Sequence, residues 1–230
     1  MVYKSSKETQ ERKSAKKKLI IETAFKVFAQ NGYHGTTVKD VVEAADTSVG
    51  TFYFYFKNKE DLFETLYDEG SEMFYTALCN SLGNINNEID LGFSKAITFF
   101  LKTIELNRPL AKIMFIEAVG LNPNFERKRT EVTQKYVTYT AGYFEEMKQS
   151  HKVSIPDVKI CSLAFIGTLF NLIMDWLQNT SPYSLTDCAY TLTVYNLQAL
   201  KIDYTDGQVK EGIHQILTMK LEDRGVSTCD

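Results

Sequence analysis

The sequence predicts an all-α fold, and three observations carry that prediction. Apolar residues recur at helical spacing along most of the chain. No Asn-Gly or Asp-Gly pair is flanked by the alternating pattern of a hairpin. The rare prolines, Pro109, Pro123, Pro156 and Pro182, each open an amphipathic stretch, where proline fits a first helical turn.

The elements follow in order. Residues 16–30 place Ile21, Ala24, Phe25 and Phe28 on one helical face, and Asn31-Gly32 ends that helix because Gly32 can take positive φ. Thr37 is placed to N-cap a short helix over 38–45, whose apolar face is Val38, Val41, Val42 and Ala45. Asp46-Thr47-Ser48 breaks the chain. A third helix from Ser48 or Val49 carries five aromatics in a row, Phe52 to Phe56, and Lys57-Asn58 stops it. Read alone, that run alternates like a strand and is rich in strand formers. A strand there would have no neighbour to pair with, and a lone strand is not stable. As a helix it joins Phe52 and Phe56 with Val49 on the buried side and turns Tyr53 and Tyr55 away. A longer helix follows over 59–82. Helical spacing then predicts segments at 91–107, 109–119 with a turn at Gly120, 123–151, 156–177, 185–200 and 209–221. The segment at 156–177 is apolar nearly all round, which predicts burial on every side.

Composition narrows the function. The chain has 230 residues, 44% of them hydrophobic, enough for a substantial core. No apolar run is read as a membrane span, and the basic N-terminus lacks the apolar stretch of a secretory signal. Cys79, Cys161, Cys188 and Cys229 lie far apart, and the three histidines are scattered. That pattern predicts reduced thiols, a cytoplasmic protein, no metal and no cofactor. Residues 1–60 hold 11 Lys and Arg against 7 Asp and Glu, whereas residues 61–230 hold 15 against 22. A basic front on an acidic body suggests that a small segment meets an anion. A lysine tail that only aids solubility gives the same charge pattern.

Two short helices separated by a sharp turn make a helix-turn-helix unit, whose second helix enters the DNA major groove. The residues that fill it are specific: Ala24 and Phe28, Asn31-Gly32-Tyr33, Thr36-Thr37-Val38, Gly50-Thr51-Phe52-Tyr53 with Phe56, and Lys57-Asn58-Lys59-Glu60 with Leu62. Over roughly residues 19–66 the chain resembles the N-terminal domain of TetR-family transcriptional regulators. It departs at Asp46, where the family usually has Gly, and at Thr47, where the family usually has an apolar residue. Asp tolerates a left-handed turn better than most residues. A buried Thr47 hydroxyl would need a partner.

The resemblance implies roles. Thr37 offers its hydroxyl and amide to a phosphate, and Lys39 faces the backbone or a base. Ser48, Val49, Gly50 and Thr51 open the recognition helix, Tyr53 and Tyr55 clamp phosphates, Phe54 occupies the variable groove-facing slot, and Lys59 reaches a phosphate. Core packing with a satisfied hydroxyl is the other reading of each tyrosine, and Val49 is divided between packing and contact. The expected organisation is a basic flexible arm at 1–15, a helix-turn-helix domain at 16–60, and a helical effector-binding and dimerisation domain at 61–230.

For the body, the resemblance implies an apolar effector pocket, with Phe100, Met114, Glu117, Tyr136, Tyr139, Tyr143, Phe165 and Phe170 as candidates. Ordinary core packing uses the same residues. It also implies a homodimer through the last two long helices, with Cys161, Ala164, Gly167, Thr168, Asn171 and Tyr195 at the interface. The expected function is a repressor that binds a palindromic operator in double-stranded DNA as a homodimer and is released by a small hydrophobic effector. Two rivals are a helical protein-interaction module and a helical enzyme. The sequence holds no nucleophile triad, carboxylate pair or phosphate loop to support the enzyme.

Overall fold

A computed structural model of the chain describes residues 7–82, 88–150, 153–178 and 183–219, and every regular element among them is helical. Helix α1 spans Lys7–Gly35 and is interrupted at Gly32, which sits at φ 72 and ψ 170. The turn predicted at Asn31-Gly32 is therefore present. The start is not at residue 16: residues 7–15, expected to be flexible, continue the helix. Their Lys, Glu, Gln, Arg and Ala are good helix formers, and they extend a helix already nucleated by buried Ile20, Ala24 and Phe28. Residues 1–6 of the expected arm lie outside the described residues, as do Pro182, His151 and Cys229.

Helix α2 (Val38–Ala44) begins with a reciprocal capping box between Thr37 and Asp40. Asp46 takes φ 43, so it holds the left-handed turn at which the family usually has glycine, as expected of an aspartate. Helix α3 (Val49–Tyr55) is capped by Ser48. Helix α4 (Lys59–Leu82) starts under the DNA-facing unit and runs into the body, crossing the boundary expected at residue 60.

The body is built on α5 (Ile89–Leu106), which is buried along most of its length. The next segment differs from the single helix expected at 109–119. Helix α6 (Arg108–Lys112) passes into a π-turn over Ile113–Glu117, closed by Ala118 N–H donating to Ile113 O at 3.0 Å, before Gly120 turns the chain at φ 70. Helix α7 (Pro123–Ser150) lies along α4, bridged by Lys128 to Glu64 and Asp68 and by Lys135 to Glu72. Helix α8 (Val158–Gln178) packs on α7, and α9 (Ala189–Ala199), entered through a 3-10 turn, packs on α5. Helix α10 (Asp206–Thr218) crosses α5 so closely that Gly212 meets the Leu91 carbonyl and Ser94, while Lys102 Nζ closes its C-terminal carbonyls.

Two expectations about the helix at 156–177 change. Helix α8 is not buried all round: Ile160, Leu163, Ala164 and Asn171 lie on an exposed side. By length and composition it is also apolar enough to cross a membrane. Its opposite side, with Phe165, Ile166, Leu169 and Ile173, is packed into the body, as a core helix would be.

Candidate DNA-binding surface and the body behind it

The recognition helix divides by face. Phe52 and Phe56 are buried against the core of α1, α2 and α4. Val49, Tyr53 and Phe54 are 49%, 55% and 63% exposed, and they share the opposite face with exposed Gly50. Val49 therefore belongs to the outer surface and not to the packing. Tyr55 is half-buried, edge-on to Phe54 with ring centroids 4.9 Å apart. At the helix start Ser48 Oγ accepts from Thr51 N–H at 3.0 Å and lies 2.9 Å from the Thr51 hydroxyl. Gly50 has only Ser48 Oγ near its missing side chain, so a ligand can approach its backbone closely. Three large apolar or aromatic residues left largely exposed on one short helix mark an interaction surface.

Lysines from α1 flank that surface. Lys13 Nζ sits 5.2 Å from the Phe54 ring centroid, Lys17 Nζ lies 5.6 Å from that of Phe56, and Lys16 Nζ donates to Asp46 O at 3.3 Å. The helical extension thus sets its positive charge beside α3. Exposed Lys39 holds only a loose pair with Glu43 at 3.6 Å, which water or a phosphate can replace at little cost.

Two of the expected phosphate contacts are engaged inside the chain. Thr37 donates both its amide and its hydroxyl to Asp40 Oδ2, each at 2.7 Å, and accepts from Asp40 N–H at 3.2 Å. Those hydrogen bonds hold the Asp40 carboxyl below its ordinary pKa. Lys59 is a clear correction. Its ammonium donates to Tyr33 O at 2.7 Å and Thr36 O at 2.8 Å and lies 4.2 Å from the Tyr33 ring centroid. Burial lowers its pKa. It closes the chain turn after α1 and does not reach outward.

The pocket candidates separate. Phe165 packs with Phe93 and Phe144 in one aromatic cluster. Phe170, Tyr136 and Tyr139 belong to another, which runs from Phe115 to Tyr75. Phe100 and Met114 are buried in the same core, and the Tyr143 ring packs tilted against Phe144. Tyr136 donates to Ser71 O at 3.3 Å and Tyr139 to Cys79 O at 3.0 Å. Burial pushes the Tyr75 hydroxyl up to about 12 and that of Tyr136 well above its usual value, so the cluster is neutral. Three buried polar atoms, Asn107 Oδ1, Thr140 Oγ1 and Thr193 Oγ1, have no hydrogen-bond partner among the described residues. Glu117 does not join these groups. Its carboxylate points toward α1, accepting from Tyr33 N–H at 3.1 Å and pairing with Lys112 at 3.7 Å.

The expected interface residues are mostly on one side of α8 and α9. Ala164, Asn171 and Tyr195 are exposed, and Cys161 and Gly167 are half-buried with open space at Gly167. Thr168 instead ties α8 to α9 within the chain, bonding Phe165 O and Asn196.

Residues 20–66 match the family model described as bacterial regulatory proteins, tetR family. The chain is similar to the fatty acid metabolism regulator protein of Bacillus subtilis, with 27% identity over 170 residues, 72% of this chain and 86% of that one. Its fold is similar to the crystal structure of the transcriptional regulator FadR from B. subtilis in complex with stearoyl-CoA. The TM-score there is 0.70 at 24% identity, covering 79% of this chain and 97% of that one. FadR from Bacillus halodurans is similar in the same way, with a TM-score of 0.68 at 24% identity over 78% and 97%.

Proposed function

The chain belongs to the TetR family of bacterial regulatory proteins, and we propose that it is a cytoplasmic repressor that grips a palindromic operator as a homodimer and lets go when a long-chain acyl-CoA enters its body. The observation that carries the DNA half is the outward face of α3, with Val49, Tyr53 and Phe54 exposed and Lys13, Lys16 and Lys17 beside it. Phe54 and Val49 offer apolar contact suited to thymine methyls, whereas Ser48, Thr51, Tyr53, Tyr55 and Lys39 are within reach of phosphates. The open backbone at Gly50 allows the helix to sit close in the groove. Thr37 contributes only if a phosphate displaces Asp40. Regulators, not enzymes, are what the chain resembles along most of its length.

The effector half rests on the interior. The aromatic clusters around Phe165 and Phe170 are apolar and neutral, and the unpartnered Thr140 Oγ1 and Asn107 Oδ1 leave polar atoms for a guest to satisfy. A similar protein was crystallised with stearoyl-CoA. Two copies would pair through the exposed side of α8 and α9, with Cys161, Ala164, Gly167, Asn171 and Tyr195 at the contact. That symmetry presents two α3 helices to two half-sites.

The experiment is selection of duplexes from a random library, followed by titration of the selected palindrome at two salt concentrations. Specific binding with a steep salt slope is expected. Addition of stearoyl-CoA should release the DNA, whereas free CoA should not. Failure to enrich any palindrome refutes the regulator. Enrichment with no release by acyl-CoA of any chain length refutes the effector.

A further inference from the structure

Among the contacts between the DNA-binding unit and the body, the backbone of Tyr33 is held from both sides. Its N–H donates to Glu117 Oε2 at 3.1 Å, and its carbonyl accepts from Lys59 Nζ at 2.7 Å. One partner comes from the body and the other from the start of α4. Gly32 makes the approach possible. A Cβ there would stand 3.0 Å from the same Glu117 oxygen, and the backbone is at φ 72. The carboxylate therefore fills the notch that glycine leaves. The rest of the turn is held from its own side, with the Thr36 hydroxyl donating to Gly32 O at 2.8 Å. The Tyr33 ring is packed between Phe28 and Phe63.

Glu117 reaches this peptide because of the π-turn that carries it. Closure from Ala118 to Ile113 places one more residue in the hydrogen-bonded loop than an α-turn holds. With α-helical spacing, one residue of register is about 100° of rotation, enough to carry the carboxylate off the Tyr33 amide. Such turns inside helices are rare and concentrate at functional sites. The other residues of this turn touch the two parts that must communicate. Met114 Sδ lies 3.1 Å from the position a Gly70 Cβ would take on α4, and Phe115 is edge-on to Phe170 of α8 at 5.1 Å. The turn thus contacts the DNA-binding unit through Glu117, the connecting helix through Met114, and an aromatic cluster of the body through Phe115.

We infer that Glu117 is a positioning residue for DNA binding: its carboxylate, delivered by the Ile113–Glu117 π-turn, holds the helix-turn-helix unit to the body in the orientation that engages the operator. The inference rests on the regulator reading for its DNA measurement only. The grip on Tyr33 is a property of the chain without DNA or effector.

The test compares Glu117→Ala with Glu117→Gln, whose amide oxygen keeps an acceptor in place. Amide exchange is followed by NMR on the full chain, and affinity is measured on the palindrome selected by the unaltered protein, with no effector present. Glu117→Ala should raise exchange at the Tyr33 amide about tenfold while amides of α5 keep their rates. It should also weaken operator binding about tenfold with the α5 core intact. Glu117→Gln should restore most of both. Unchanged operator affinity in Glu117→Ala overturns the inference, as does unchanged Tyr33 exchange. A Gln variant as impaired as the Ala variant overturns it too, and decides the matter if the Ala variant does not fold. If the unaltered protein selects no DNA, the regulator reading fails, and the exchange rates alone decide whether Glu117 grips Tyr33.

Discussion

Replacing Lys59 with Ala separates two roles that a basic residue beside a recognition helix can play. The ammonium makes two charge-assisted hydrogen bonds, to Tyr33 O at 2.7 Å and Thr36 O at 2.8 Å, and lies over the Tyr33 ring. Hydrogen bonds to charged groups contribute about 1.5–3 kcal/mol each. The site is half-buried, so water replaces part of what is lost, and alanine avoids the cost of up to about 2 kcal/mol in rotamer entropy for ordering the lysine. The net cost should be about 2 kcal/mol, which for a chain of this size lowers the melting temperature by about 4–8 °C. If Lys59 touched phosphates instead, its loss from two subunits would flatten the salt dependence of operator binding by about 2 in slope. The measurement is a thermal melt together with operator titrations across salt. A lower melting temperature with the slope preserved is expected. An unchanged melt with a flatter slope would refute the internal role.

The lysines of the α1 extension should behave in the opposite way. Removing Lys13, Lys16 and Lys17 together should flatten the salt slope by up to about 5 for a dimer, with little change in melting because these side chains are largely exposed; a preserved slope would place the extension away from DNA. Gly167→Arg should give a folded monomer by light scattering and abolish operator binding, since the position has open space in the single chain; a stable dimer would move the interface elsewhere. At Asp40 the folded carboxyl has a lowered pKa. Its contribution to stability is therefore complete above the ordinary aspartate value of about 4 and is lost as pH falls through the depressed folded value. Melts of the wild type and Asp40→Asn should converge as acid is added, and a constant gap would show that the cap does not depend on that charge.

Much of the DNA-facing unit was legible in the sequence because its determinants are local. Thr37 and Ser48 announce the starts of α2 and α3, Asp46 tolerates the left-handed turn, and Phe52 and Phe56 stand one helical turn apart. The start of α1 was not, because residues 9–15 are exposed and carry no apolar period to read. Lys59 was misplaced for a different reason. Nothing near it in the sequence says that two carbonyls, 23 and 26 residues earlier, will stand above it. Glu117 shows the limit most directly. On α-helical spacing it falls on the face of buried Ile113, and so it reads as an interior carboxylate. The π-turn breaks that spacing within those same five residues, and no periodicity argument survives an extra residue in the loop.

The ambiguity of α8 is of another kind. An apolar helix can be covered by its own chain, by lipid or by a second copy, and all three demand the same residues. Packing decides among them. Phe165, Ile166, Leu169 and Ile173 are covered within the chain, so lipid could not surround the helix, whereas Ile160, Leu163 and Ala164, like Tyr195 on α9, stay exposed. Phe54 poses the same question on α3, where 63% exposure leaves a large ring with Lys13 and Tyr55 against it among the described residues. Helical packing gives no reason for an aromatic there. A groove lined with thymine methyls would, and so a ring that the fold leaves largely uncovered is free to decide which DNA the protein chooses.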